Sequence, residues 1–174
     1  LTVCESESPI ASALVLVDIV PKLDVQGAAR IQGLMISHPE GFASVEEAAA
    51  AVAEYLPHRP RPKDISRLRR NLRVGPDQRL YWHWDPNLVN LQSQATGEPL
   101  QRIEQAAARI RIPTLLIRGE HSEIVNAEGV EAFRKLLPHA EYVDVKGARH
   151  MVAGDENSAF NAALIEFLER TVRG

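Results

Sequence analysis

The sequence predicts an α/β protein built on a parallel sheet and interrupted by a long, mostly helical insertion. Three observations carry this. Residues 12–18, 112–117 and 141–145 are short apolar runs rich in β-branched side chains, the pattern of strands covered on both faces. Helical periodicity follows the second and third runs, giving the strand–helix–strand–helix order of a parallel sheet. The stretch 22–110 breaks that order and reads as a series of helices.

The first run, Ser12 to Asp18, ends on a polar residue shortly before Pro21. The second, 112–117, contains Pro113 near its start, where a strand tolerates a missing amide. Between the second and third runs, Ala127, Val130, Phe133, Leu136 and Leu137 share one helical face, and Pro138 stops the helix. After the third run comes a loop and then a helix over 159–168, with Phe160, Ala163, Leu164, Phe167 and Leu168 as its apolar positions. Inside the long middle stretch, helices are expected over 25–36, 45–56, 64–72 and 99–110. Ser44 followed by Glu47 reads as a capping box for the second of these. Pro57, Pro60 and Pro62 end that helix and begin the next. The patch Leu80 to Trp84 reads as extended. A crossover between neighbouring strands needs far fewer residues than this stretch supplies. The expected organisation is therefore a core made of 1–21 and 111–174, with 22–110 as an inserted subdomain.

At 174 residues the chain has the length of one domain, and its 45% hydrophobic and 25% charged residues are ordinary for a globular protein. The net charge of −3 comes from mixed signs. No basic stripe points to nucleic acid or an anionic membrane, and Arg59, Arg61, Lys63, Arg67, Arg69, Arg70 and Arg73 read as a solvated helix face. The single cysteine, Cys4, rules out an internal disulfide and a multi-cysteine metal site, so a cytoplasmic location is expected. No apolar run reaches membrane-spanning length. The sequence starts at Leu1 rather than at a methionine, from which a fragment or a processed product is expected.

Active sites of open parallel sheets gather outside the carboxyl ends of the strands. Asp18, the Gly119 to Val125 loop and His150 stand at those three ends. A histidine in the glycine-containing segment Gly147 to Met151 can serve as a general base and then a general acid. For that it needs a carboxylate on its other ring nitrogen. From position alone, a surface-loop histidine is the competing reading.

The segments Leu14 to Pro21 (LVLVDIVP), Ile112 to Gly119 (IPTLLIRG) and Gly147 to His150 (GARH) resemble, in this order, the last three sheet strands of the α/β-hydrolase superfamily. The middle stretch resembles the helical cap that the family inserts between its sixth and seventh strands. The resemblance covers essentially the whole chain and implies the C-terminal part of an α/β-hydrolase, with His150 as the catalytic histidine. Many members carry the acid three residues after the glycine that ends strand seven, but here that residue is Ser122. Two candidates remain: Asp18, at the place some members use, and Glu123, one position further along the loop. His121 is read as a loop residue.

The family's nucleophile sits in a Gly-x-Ser-x-Gly or aspartate-bearing elbow. No serine of this sequence has those neighbours, and Cys4 lies too close to the first strand to replace it. Leu1 to Pro9 are read as the tail of the helix that follows the elbow. Trp82, Trp84, Tyr81 and Met35 are candidates for the substrate pocket, although the cap's own core is the stronger reading for each, and Met151 and Val152, which flank His150, are candidates for the pocket lining. The resemblance implies hydrolysis of a carboxylic ester or similar small substrate, without a cofactor, by a protein of which this chain supplies the histidine and acid. One alternative is an aspartate nucleophile, as in epoxide hydrolases and haloalkane dehalogenases. Another is a non-catalytic binding or oligomerisation module. The expected partner is a second copy or the nucleophile-bearing half, seated on the open edge of the first strand.

Overall fold

The computed structural model describes residues 10–57, 64–85, 98–155 and 157–172. The expected helix tail over Leu1 to Pro9, with Cys4, and the basic residues Arg59, Arg61 and Lys63 lie outside the described residues. The chain divides into two compact units, Leu1–Ala28 with Ala95–Gly174, and Ala29–Gln94.

The first unit holds a three-stranded sheet of β1 (Leu14–Val17), β4 (Thr114–Gly119) and β5 (Glu141–Val145), in the order β1-β4-β5. Both pairings are parallel, with Leu14 opposite Thr114 and Leu115 opposite Glu141. This is the parallel α/β sheet expected from the apolar runs. The central strand β4 is buried along most of its length, whereas β1 is half-buried and ends on an exposed Val17. One side of β1 carries no strand among the described residues.

Helix α4 (Ala127–Leu136) joins β4 to β5. Asn126 caps it by accepting the Gly129 amide at 2.8 Å, Glu128 lies in the first turn, and Arg134 and Lys135 lie in the last, each charge matching the helix dipole. Val130 and Phe133 face inward, and Leu137 just beyond is also buried. Complete burial of side chains this size stabilises by about 1.5–3 kcal/mol each. After β5 come a short helix, α5 (Val152–Asp155), and α6 (Asn157–Val172), which runs beyond both ends of the expected 159–168. Phe167 of α6 packs with Leu115, Ile117, Val145, Ala148 and Val152 in one apolar cluster. Helix α3 (Glu98–Ala107) precedes β4.

Helix α1 (Val25–Ile36) has the expected bounds, and the Asp24 carboxylate accepts the Gly27 amide at its start. In the second unit, α2 (Val45–Tyr55) begins at Ser44, whose hydroxyl accepts the Glu47 amide. The Glu47 carboxylate reaches back to the Ala43 amide, one residue before the cap rather than to the cap itself. The expected helix over 64–72 is a 3-10 helix, Ser66–Asn71, that runs into β2 (Leu72–Val74). β2 pairs antiparallel with β3 (Leu80–Trp82), which puts Leu72 opposite Trp82. Leu68 and Leu72, four apart, mimic helical spacing, but Leu72 is buried as a strand residue, so the hairpin prevails over the local pattern. Arg69, Arg70 and Arg73 are exposed, on a 3-10 helix and a strand rather than one helix face.

Candidate functional site

The carboxyl ends of the three parallel strands bring Asp18, Ser122 and His150 together. Asp18 follows β1 with φ +49, in the left-handed region that aspartate tolerates better than most side chains. It is fully buried. An isolated buried carboxylate is strongly disfavoured, and this one is met by donors on both oxygens. The Gly119 amide donates to Oδ1 at 3.1 Å, and the Ser122 hydroxyl donates to Oδ2 at 2.7 Å. His150 Nδ1 lies 2.9 Å from the same Oδ2. Against an ionised carboxylate, which only accepts, Nδ1 carries the proton.

Two buried residues anchor the loop that carries His150. Gly147 takes φ +75, open to glycine at no steric cost, and its amide donates to Glu120 Oε2. Ala148 is fully buried; its carbonyl accepts the His121 amide at 2.9 Å. Val152, also buried, fixes the far side. The loop passes so near the end of β4 that a Cβ on Gly119 would overlap the Arg149 carbonyl and lie 2.8 Å from that of Ala148. The absent side chain at position 119 thus lets His150 approach Asp18. A Cβ on Gly27 would likewise overlap the Glu123 carbonyl, so the start of α1 lies against the same loop. The His150 side chain is 36% exposed. With Nδ1 committed to Asp18, Nε2 has no partner among the described residues and is free to take up a proton.

Of the two expected acids, the structure brings Asp18 to His150. Glu123 turns instead to Arg149, whose guanidinium donates to it at 2.8 Å, the pair being mostly buried. The residue next to the histidine thus engages the other candidate carboxylate. Trp82 and Trp84, read as residues of a pocket or of the cap's core, lie with the core. Trp82 is buried among Phe42, Ala48, Leu72 and Leu80, edge-on to Phe42 and stacked on Trp84 at 4.9 Å between centroids. Trp82 belongs to the apolar core of its unit and Trp84 packs against that core. Tyr81 instead donates its hydroxyl to Asp77. Met35 is half-buried on α1, while Met151 is exposed beside His150, and His121 is an exposed loop residue.

Ser122, a hydroxyl and so unable to replace a carboxylate, is instead a donor to Asp18. The signal was present, since Ser122 occupies the position where many α/β-hydrolases carry their aspartate.

A parallel sheet whose strand ends gather a buried acid and a histidine defines the α/β-hydrolase class of fold. Residues 84–172, a little over half of the chain, match the family of TAP-like proteins, and the chain belongs to this family of the α/β-hydrolase superfamily. Solved structures agree in fold. The E-2-(acetamidomethylene)succinate hydrolase superposes with a TM-score of 0.76 at 19% identity, over 92% of this chain and 58% of that one. An α/β-hydrolase of Novosphingobium aromaticivorans gives 0.65 at 24% identity, over 91% and 57%. An esterase of Mycobacterium tuberculosis gives 0.63 at 20%, over 90% and 52%. The chain thus spans between 52% and 58% of the length of these hydrolases. Among the described residues no helix is long and apolar enough to cross a membrane.

Proposed function

We propose that this chain supplies the general base and its acid to an esterase-like hydrolase whose nucleophile lies outside the sequence. The observation that carries this reading is the 2.9 Å contact between His150 Nδ1 and the fully buried Asp18. In the proposed reaction, Nε2 of His150 takes the proton of a nucleophilic hydroxyl as it attacks the ester carbonyl. Asp18 stabilises the imidazolium that forms, and His150 then returns the proton to the leaving alcohol. Residues 22–110 take the role of the cap that governs substrate choice. Met151, exposed beside the base, contacts the substrate. The open edge of β1 is the seat of the nucleophile-bearing half or, failing that, of a second copy. The compartment assigned is the cytoplasm.

No Gly-x-Ser-x-Gly elbow occurs in the sequence, so the chain alone is expected to be inactive. The test is hydrolysis of a short-chain aryl ester by the chain alone and by the chain joined to a nucleophile-bearing half. Activity is expected only in the joined form. There it should fall by about 10⁴-fold in Asp18→Asn, as when a triad acid is neutralised, and by more in His150→Ala. Glu123→Gln should keep most of the rate. Full activity in joined His150→Ala would end the proposal.

A further inference from the structure

We propose that Ser122 is a positioning residue: its hydroxyl proton orients the Asp18 carboxylate and so holds His150 in the Nδ1–H tautomer. This rests on the Asp18–His150 pairing proposed above and assigns a role to a side chain that never meets the substrate.

The direction of the hydroxyl proton follows from counting partners. A serine hydroxyl has one proton and two lone pairs. The Val125 and Ile124 amides both donate to Ser122 Oγ, at 3.0 and 3.3 Å. With the accepting side so engaged, the proton is directed to Asp18 Oδ2, 2.7 Å away. The rotor is therefore fixed from three directions, and Ser122 is itself held by its amide bonding to the Gly119 carbonyl at 2.9 Å.

The effect on the acid is specific to one oxygen. Oδ1 is taken by the Gly119 amide, so Oδ2 is the oxygen that faces both Ser122 and His150. Without the hydroxyl, Oδ2 keeps only the imidazole, and the carboxylate loses the second donor that resists its rotation about the Cβ–Cγ bond. A carboxylate free to turn away leaves Nδ1 without its acceptor, and the neutral imidazole then has no reason to keep its proton there. The same hydroxyl also ties down residues 122–125 through its accepting side. A useful test must therefore separate loss of the donor from loss of the loop.

Imidazole tautomers provide that separation, and they can be read without any hydrolysis. Long-range proton–nitrogen correlation spectra of the 174-residue chain, recorded where histidine is neutral, report which ring nitrogen carries the proton; a His150→Gln spectrum assigns the signal among the six histidines. The unaltered chain is expected to show the Nδ1–H form, and Ser122→Thr, which keeps the hydroxyl, to match it. Ser122→Ala should shift the ratio towards Nε2–H by about tenfold, the ratio one hydrogen bond of ordinary net strength supports. Ser122→Cys, close in size but a weaker donor, should fall between. An unchanged ratio in Ser122→Ala, even with a lowered melting temperature, would overturn the proposal and leave Ser122 a loop-tying residue. Should Ser122→Ala fail to fold, Ser122→Cys decides alone, and a ratio equal to that of Ser122→Thr overturns it. Absence of the Nδ1–H form in the unaltered chain is a different result: it removes the Asp18–His150 pairing, and this proposal with it.

Discussion

Substituting Gly119 by alanine should damage the candidate site without touching any of its side chains. The added Cβ would overlap the Arg149 carbonyl and stand 2.8 Å from that of Ala148, where ordinary contact begins at 3.4 Å. Both obstacles are backbone and cannot turn aside, so the turn over 147–150 must retreat by about 1 Å. That retreat stretches the His121 amide to Ala148 carbonyl bond, now 2.9 Å, and pulls His150 from a contact already at 2.9 Å towards the limit of hydrogen bonding. Overpacking typically costs about 1–3 kcal/mol and a lost hydrogen bond about 1 kcal/mol more, for a total of about 2–4 kcal/mol. In a domain this size that lowers the melting midpoint by about 10 °C. Urea titration followed by circular dichroism measures it, with Gly33→Ala as the control. Gly33 lies inside α1 with nothing within 4 Å of an added Cβ, so its replacement should stabilise by up to about 1 kcal/mol. If Gly119→Ala lies within about 0.5 kcal/mol of the parent while the control behaves as expected, the loop is not held against β4 as described.

Two further outcomes are expected. Burial, with the hydrogen bond to Asp144 second, pushes the Tyr142 phenol up to about 12 from its ordinary 10.0. The folded chain therefore holds this proton more tightly than the unfolded chain. The stabilisation is complete below pH 10 and is lost as pH rises from there through about 12. The difference in phenolate absorbance between the chain and Tyr142→Phe should rise near 12 when folded and near 10 in denaturant; a folded midpoint near 10 would contradict the burial of this ring. The edge of β1 that carries no strand among the described residues, with Val17 and Ile19 exposed, should make the isolated chain self-associate as concentration rises, since such an edge templates further pairing. Light scattering on a sizing column tests this, and a monomer at high concentration would show that the edge needs no partner.

The parallel strands were legible because each is a continuous apolar run, a pattern that depends little on distant residues. The β2–β3 hairpin was half legible: Leu80 to Trp82 read as extended, but Leu72 kept helical spacing with Leu68 and revealed its strand character only against Trp82. His150 was legible from its place after the third strand. The carboxylate that pairs with it was not, because two carboxylates stand on neighbouring loops. The choice between them turns on Arg149 engaging Glu123 and on the left-handed turn at Asp18. Neither of these is written in local pattern. Ser122 was discounted for a reason that was chemically sound, since a hydroxyl cannot replace a carboxylate. Its role as a donor depends on a partner 104 residues away.

That separation bears on how the chain can change. Asp18 meets Gly119 across 101 residues and His150 across 132, so the two paired side chains stand on opposite sides of the long stretch that follows β1. The entropy of closing such a loop grows only with the logarithm of its length, at about 0.6 kcal/mol for each doubling. Halving or doubling the stretch between β1 and β4 therefore changes the closure cost of the Asp18–His150 contact by less than a single hydrogen bond contributes. As far as closure entropy goes, the stretch is free to lengthen or shorten while the Asp18–His150 pair stays as it is. Variation in this region is thus constrained by close packing, as where Gly27 meets the Glu123 carbonyl, more than by the entropy of closing the chain.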